Sequence, residues 1–570
     1  MVIVTNLLLL LGGVAIFMYG MKMMSQGIEQ SAGSGVRTLF KKISRYRVVD
    51  YGVGVGATSI IQSSSASSVL TVGLANAGIV SVRQGAGIVL GAKVGTTVTA
   101  FIISLNGISN GGFSVSALFS VVAFVGVIIV FSTSNDSLNK LAIFFIGFGM
   151  LFIGLEVMEY SIGGKDSMLS VELTKLFQYE VMKNPFMLVI LGIVFTCIIQ
   201  SSSAASGVFI TLLATGVIQS VDQSFFLMMG ANIGTCIDGL IASIGTNADG
   251  RRVAVFHVLT SAIGATTFSV ILVLFRSPIV GLFESIFPGK PQFSLATYNL
   301  TYNVIYTSIL LLFLDPLVSF VTRLVKGKQP KKQKDLLYID DRLLATPAVA
   351  IEQALKEVSR MAVMAKENLD RAFDAIMGED MAHSKKIADT EYRIDSTTRA
   401  LASFFIKISS THITGRDEKL IGSLHHVIND IERIGDYAVL LAKETNDMKQ
   451  RDAHFPRQTA TEMRQVYDLI GGLYDLCLDA FQQRSAKNLE KISDAHKQIS
   501  NLLSVARETH TERLGKSMYS VEVSKSMYTM LFSLQRISDH MVNIGFSVRS
   551  STGSMTEAFE KMGLVRKNES

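Results

Sequence analysis

The first part of the chain alternates long apolar stretches with short polar breaks. Stretches of bilayer-spanning character lie near residues 2–21, 85–105, 113–132, 139–158, 186–199, 224–245, 253–275 and 297–324; about 20 apolar residues cross a membrane as helix. After Gly327 the period changes. From Thr346 to about Ser551, apolar residues recur at three- and four-residue spacing with charges between them, which predicts amphipathic helices. Thr346 suits the N-cap and Pro347 the first helical position. Breaks near Gly378–Asp380, Thr411–Gly415, Phe455–Pro456, Arg484–Ser485 and Gly515–Tyr519 divide this part into about six helices, and no strand pattern appears. The expected fold is all-α: a polytopic membrane domain followed by a helical bundle.

Composition sharpens the division. The first 320 residues hold 29 charged side chains and the last 250 hold 71. The second density suits a soluble domain, in which about a quarter of residues are charged; the first does not. A wholly soluble enzyme, a disordered chain and a disulfide-stapled secreted domain are excluded. Cys197, Cys236 and Cys477 have no metal or redox spacing. A net charge of +6 is modest for 570 residues and points to no nucleic-acid partner. No basic segment precedes the apolar N-terminus and no cleavage site follows it, so residues 2–21 read as a retained first span. Lys41, Lys42, Arg45 and Arg47 follow that span; Lys326, Lys328, Lys331, Lys332 and Lys334 follow the last. By the positive-inside rule both regions, and with them the C-terminal half, are expected in the cytoplasm, with Met1 on the far side.

The strongest feature is an internal repeat. Thr58 to Ser68 reads TSIIQSSSASS and Thr196 to Ser206 reads TCIIQSSSAAS; nine of eleven positions agree at an offset of 138. Gly91 to Thr97 (GAKVGTT) and Gly230 to Cys236 (GANIGTC) match at an offset of 139. The membrane part therefore reads as duplicated. Gln62-Ser63-Ser64-Ser65 and Gln200-Ser201-Ser202-Ser203 each interrupt apolar sequence. Four consecutive polar side chains point in every direction around a helix, so a regular lipid-facing helix cannot hold them. Irregular backbone at membrane depth is tolerated where it is buried in protein or lines a wet cavity. Paired interrupted segments in two halves point to a transporter's binding site. Glutamine and serine supply both donors and acceptors, a set able to coordinate Na⁺ through oxygen and to hydrogen-bond an oxyanion. The expected cargo is a small tetrahedral or carboxylate anion moved with a cation. No Walker loop is present for ATP drive, and no nucleophile–base constellation for catalysis, so no enzyme is expected.

The two QSSS segments, the two GA-x-x-GT blocks and the opening GGVAIFMYGMKMMSQGIE resemble the bacterial type II sodium–phosphate cotransporter family over about residues 7–325. The resemblance implies an inverted-repeat domain, 1–325, with copies at about 7–160 and 185–325 and two re-entrant helical hairpins. It implies phosphate and Na⁺ bound between the hairpin tips by Gln62, Ser63, Ser64, Ser65, Gln200, Ser201, Ser202 and Ser203. Thr58, Lys93, Thr96, Thr97, Thr196, Asn232, Thr235 and Asp238 would support them. One departure stands out: Lys93 occupies the position that Asn232 holds in the second block, where the family usually has asparagine. A lysine in this setting is costly unless paired or facing a cavity. Its ammonium is expected to fill a cation position or to bind the anion, and pseudo-symmetry suggests a pair with Asp238; the alternative is snorkelling to an interface. His257 reads as a core residue, Arg251 and Arg252 as helix-end anchors.

In the C-terminal half, Glu391 and Asp395 are four apart, as are Glu432 and Asp436. Each pair lies on one helix face, where it either chelates a metal through oxygen or forms a solvated face balanced by Arg393 or Arg433. YIDDRLLATPAVAIEQALKEVSRMA, TEYRIDS and NDIERIGDYAVLLA resemble the PhoU-like domain appended to bacterial members of the same family. The resemblance implies two three-helix repeats over 338–555, after a basic linker 326–337 and before a tail 556–570, and a metal cluster on the two acidic pairs. At the matching second-repeat positions, His496/Ser500 and Gln535/Asp539, the acidic pattern is degraded. The expected protein is a sodium-coupled phosphate transporter of the bacterial inner membrane, with Na⁺ as coupling ion and the PhoU-like bundle as a cytoplasmic regulator. A cytoplasmic regulatory partner and a homodimer are expected associations. Phosphate export by the same fold and a phosphate-responsive membrane sensor are the competing expectations.

Overall fold

A computed structural model describes residues 2–43, 46–107, 115–133, 135–163, 167–327, 336–376, 383–411, 413–451, 455, 457–516 and 521–548. The basic stretch 328–335, the expected break at 378–380, most of that at 515–519 and the tail 556–570 lie outside the described residues. Among those residues the secondary structure is helical, without strands. The chain forms two compact units: Met1–Gln333 with Asp340–Ala350, and Lys334–Ile339 with Ile351–Ser570.

In chain order the first unit holds α1 (Val2–Lys41), α2 (Arg47–Ile61), α3 (Ser64–Asn76), α4 (Val82–Gly95), α5 (Thr97–Ser104), α6 (Val115–Ser132), α7 (Asp136–Ile162), α8 (Met168–Gln178), α9 (Glu180–Lys183), α10 (Pro185–Ile199), α11 (Ser202–Ala214), α12 (Val221–Gly234), α13 (Cys236–Ser243), α14 (Ala248–Leu274), α15 (Arg276–Ile286), α16 (Pro291–Leu312) and α17 (Leu314–Leu324). Among the described residues, six helical segments are long and apolar enough to cross a membrane: Val2–Ile28, Val82–Gly107, Val115–Ser132, Leu138–Ile162, Val221–Ser243 and Ala248–Leu274.

Element lengths repeat with the sequence. Helices α2 to α5 have 15, 13, 14 and 8 residues, and α10 to α13 have the same four lengths. Arms of this size reach about 20 Å, short of the roughly 30 Å hydrocarbon core. The apolar stretch 186–199 is therefore not a span; it is the first arm of a broken pair. The stretch 297–324 is not a single straight helix either, since α16 and α17 meet at 78°. Pro316 cannot donate to Leu312, and its ring crowds that carbonyl. Arg47 Nη1 takes up the freed carbonyls of Leu312 (3.1 Å) and Leu311 (3.3 Å).

The glycines of the GA-x-x-GT blocks bring backbones into contact. A Cβ on Gly91 would fall 2.0 Å from the Tyr51 carbonyl oxygen, and one on Gly230 would fall 2.1 Å from that of Val189, the equivalent residue of the second copy. Small residues at close crossings are the usual means of packing membrane helices. Here they press α4 onto α2 and α12 onto α10, directly behind each polar break.

The segment Asp340–Ala350 packs within the same unit. Leu343 is fully buried. Arg342 donates to the carbonyls of Ala242 (2.6 Å) and Ile244 (2.9 Å), and Asp340 accepts from the Asn76 amide. The chain then continues into α18 (Pro347–Ile376), α19 (His383–Ser409), α20 (Gly415–Gln450), α21 (Arg457–Gln483), α22 (Leu489–Gly515) and α23 (Val521–Phe546). These are six helices, as the periodicity predicts. Ile394, Leu401, Phe405 and Ile408 form a buried stripe at helical spacing on α19, so burial of one face holds the bundle together.

Candidate functional site

Both polar breaks use the same backbone. Gln62 ends α2 in the left-handed region at φ 56°, ψ 20°, and Gln200 ends α10 at φ 57°, ψ 27°. This conformation is unfavourable for a residue with a Cβ. The next residues, Ser63 and Ser201, are extended and cap the following helices: each hydroxyl accepts from the amide three residues on, Ala66 or Ala204, at 3.1 Å. Such caps typically contribute about 1 kcal/mol. The polar run thus stops one helix, turns the chain and starts the next.

The two restarts meet. Ser64 Oγ and Ser202 Oγ lie 3.5 Å apart and are buried. They are equivalent positions of the two copies. A second equivalent pair also meets: Lys93 Nζ donates to the Asn232 carbonyl oxygen at 2.7 Å. Both contacts join equivalent positions of the two copies. The first-turn amides of a helix carry partial positive charge and lack helical acceptors. Two such ends converge at Ser64 and Ser202, among serine hydroxyls, which is a favourable setting for an anion.

Side-chain contacts break the symmetry. Gln62 is buried; its Oε1 accepts from Thr99 Oγ1 (2.8 Å) and its Nε2 donates to the Ser59 carbonyl (2.5 Å). Gln200 is exposed and its side chain has no hydrogen-bond partner among the described residues. The residue equivalent to Thr99 is Asp238, which instead accepts from the Ser65 hydroxyl of the other copy. Thr58 Oγ1 donates to Ser67 Oγ at 2.9 Å. Its counterpart Thr196 is buried and has no side-chain partner among the described residues, since Ala205 stands where the first copy has Ser67.

The remaining membrane candidates divide. Thr96, Thr97 and Thr235 donate to carbonyls of their own turns, Ala92 (2.9 Å), Val94 (2.7 Å) and Ala231 (2.8 Å). Asn232 Nδ2 donates to Asn299 Oδ1 at 3.3 Å. The expected pair of Lys93 and Asp238 does not form. Asp238 is taken by Ser65, and Lys93 reaches the Asn232 carbonyl and Cys236 Sγ (3.7 Å). Nor does Lys93 snorkel, since it is only 5% exposed. His257 is a buried core residue, as expected, with Nδ1 3.3 Å from Ser68 Oγ. Four supporting residues escaped the sequence reading. Thr99 holds Gln62; its equivalence to Asp238 was the available signal. Ser25 donates to the Ile61 carbonyl at the end of α2. Asn299 and Asn303, four apart in an apolar span, extend the polar chain, with Asn303 Nδ2 donating to Asn299 Oδ1 at 2.8 Å.

In the second unit the four carboxylates gather on α19 and α20. Glu391 presses on Gly435, where a Cβ would lie 2.0 Å from Oε2, and that oxygen is buried without a partner. Burial, then Asp436, Glu432 and Asp395, push its carboxyl up to about 8. The other three are held by arginine: Asp395 by Arg399 (2.9 Å), Asp436 and Glu432 by Arg433 (3.2 and 3.6 Å). Among the described residues no group of three or more His, Cys, Asp or Glu is placed to hold a metal ion. Arg399 and Arg433 hold three of the four carboxylates expected to bind metal. The second-repeat positions form a closed network instead. Asp539 accepts from Gln535 (3.0 Å) and pairs with His496 (3.0 Å), and Gln535 also donates to Ser500 (3.2 Å). Burial pushes the Asp539 carboxyl up, but the bonds from His496 and Gln535 outweigh it and hold the group below its usual range.

Two broken helices meeting inside a multi-span bundle define a membrane transport protein of duplicated build. The model of the Na⁺/Pi-cotransporter family matches residues 16–160 and 166–306, and that of the PhoU domain matches residues 358–445. The chain belongs to the Na⁺/Pi-cotransporter family and carries a PhoU domain. It is 23% identical over 552 residues to the "Putative inorganic phosphate export protein YjbB" of Salmonella typhimurium, covering 95% of this chain and 97% of that one. It is 29% identical over 322 residues to "Uncharacterized protein YqeW" of Bacillus subtilis, covering 55% and 96%. Among solved structures, PhoU from Pseudomonas aeruginosa is similar at 20% identity and a TM-score of 0.34, covering 35% of this chain and 95% of that one.

Proposed function

We propose that this chain carries inorganic phosphate across the cytoplasmic membrane together with Na⁺, by alternating exposure of a site between its two Gln-Ser-Ser-Ser breaks, and that the PhoU domain regulates it from the cytoplasm. The observation that carries the reading is the meeting of two helix starts at Ser64 and Ser202. Phosphate oxygens there would accept from first-turn amides and from the hydroxyls of Ser64, Ser202 and Ser203, with Ser65 placed beside them and the Gln200 amide free to join. Dehydration of the anion is offset by these donors, and Na⁺ on freed carbonyl and hydroxyl oxygens balances its charge. The equal arm lengths support two inverted copies whose hairpins re-enter from opposite faces. Rocking one copy against the other exposes the site to each side in turn. Coupling requires Na⁺ to favour the phosphate-binding state, because equal affinity for both states shifts nothing.

Net outward flux is the second reading. It is favoured by the export function in the names of relatives that match 95% of the chain. The deciding experiment is flux of labelled phosphate in proteoliposomes under a Na⁺ gradient, with choline as the replacement cation. Na⁺-dependent movement lost in Gln200→Ala supports the reading. No movement with either cation, in folded protein, overturns it.

A further inference from the structure

Lys93 is a buried position where the two copies differ in charge. The second copy has Asn232 there, and the two residues touch. The lysine nitrogen has acceptors only: the Asn232 main-chain carbonyl at 2.7 Å and Cys236 Sγ at 3.7 Å. No carboxylate pairs with it among the described residues. A buried ammonium normally requires such a partner, so its presence here calls for a different explanation.

The surroundings are those of a cation. Main-chain carbonyls at a helix C-terminal end are a ligand type that transporters use for coupling ions, and Asn232 lies in the last turn of α12. Behind it a polar chain continues through Asn299 to Asn303. It ends on Asn303 Oδ1, which is buried without a hydrogen-bond partner among the described residues. An asparagine at position 93 has a shorter side chain than lysine and would leave the opposite carbonyl with only the weak Cys236 thiol contact at 3.6 Å, open to a free ion.

We propose that the Lys93 ammonium is a tethered cation that stands in a coupling-ion position, so that this chain binds one Na⁺ fewer with each phosphate than it would with a neutral residue there. The inference rests on the Na⁺-coupled reading above. Its consequence is thermodynamic. Each coupling ion multiplies the phosphate ratio a carrier sustains by the Na⁺ ratio across the membrane. Removing one weakens inward drive by that factor and brings outward flux within reach.

The test is equilibrium binding of labelled inorganic phosphate to the purified full chain, with Na⁺ varied against choline at constant ionic strength. Lys93→Asn is compared with wild type, and Lys93→Ala serves as a second variant that also vacates the position. The logarithm of phosphate affinity against the logarithm of Na⁺ concentration is expected to be steeper by about one in the variants; each tenfold rise in Na⁺ then strengthens binding by a further factor of about ten, the one-ion limit. Equal slopes in wild type and a folded variant overturn the inference and leave the carrier reading standing. Failure of wild type to bind phosphate at any Na⁺ concentration overturns the carrier reading, and the inference with it.

Discussion

The two Gln-Ser-Ser-Ser breaks differ in side-chain company while sharing a backbone. Both glutamines are left-handed, both second positions cap a helix, and the first serines of the two restarts touch. Yet Gln62 is locked by Thr99 and Ser59, whereas Gln200 is exposed with its amide unengaged. The second unit repeats the lesson. Its first quartet leaves one Glu391 carboxylate oxygen buried and without a partner among the described residues, and its second is closed by His496, Ser500, Gln535 and Asp539. Duplication keeps the scaffold, and divergence at contacting positions decides which copy is tied and which is left able to engage a ligand.

The largest expected effect tests what the copies share. Gly91→Ala and Gly230→Ala each force a Cβ into a carbonyl oxygen, and each is expected to cost about 3 kcal/mol through overpacking. Thermal unfolding of the purified protein measures it, and sensitivity in only one copy would break the comparison. Next comes the PhoU domain. Glu391 is raised to about 8 in the folded chain, against roughly 4.3 when unfolded. The folded state therefore keeps a proton that the unfolded state releases. Stability from this group is greatest below the unfolded value and is lost as pH rises toward the folded one. Glu391→Gln is expected to gain on wild type by on the order of 2 kcal/mol by pH 8, once screening at a partly exposed site is allowed for. The gain should vanish near pH 4; hydrogen exchange over α19 and α20 reads it. Asp539 has the opposite sign, so its contribution is lost as pH falls through its lowered value.

Smaller effects separate the tied glutamine from the open one. Gln62→Ala strands the Thr99 hydroxyl and is expected to destabilise by about 1–2 kcal/mol, while Gln200→Ala leaves stability unchanged; both lose phosphate flux. The smallest change repairs an asymmetry. Ala205→Ser gives Thr196 the partner that Thr58 already has in Ser67 and is expected to stabilise by about 1 kcal/mol.

The duplication and the helix breaks were legible because identical residues recur at fixed offsets, and four polar residues in lipid admit few solutions. Contact partners were less so. Lys93 and Asp238 invited a pairing by charge. The fold instead places Lys93 opposite its own counterpart Asn232, and Asp238 on the far copy's Ser65. Apolar length did not distinguish a 15-residue arm from a span, and the bend before α17 depended on Pro316 rather than on hydropathy. The spacing of Glu391 and Asp395, and of Glu432 and Asp436, identified a shared face on each helix. What occupies those faces depends on Arg399 and Arg433, whose reach the spacing of the carboxylates does not encode.

The central claim is that phosphate sits where Ser64 and Ser202 meet. It is tested most directly by joining them. In a background with Cys197→Ser, matching Ser59 of the first copy, the pair Ser64→Cys and Ser202→Cys is oxidised with and without inorganic phosphate. The account predicts a ready cross-link that phosphate suppresses and that, once formed, abolishes phosphate binding. A cross-link indifferent to phosphate, in protein that still binds it, would contradict the claim.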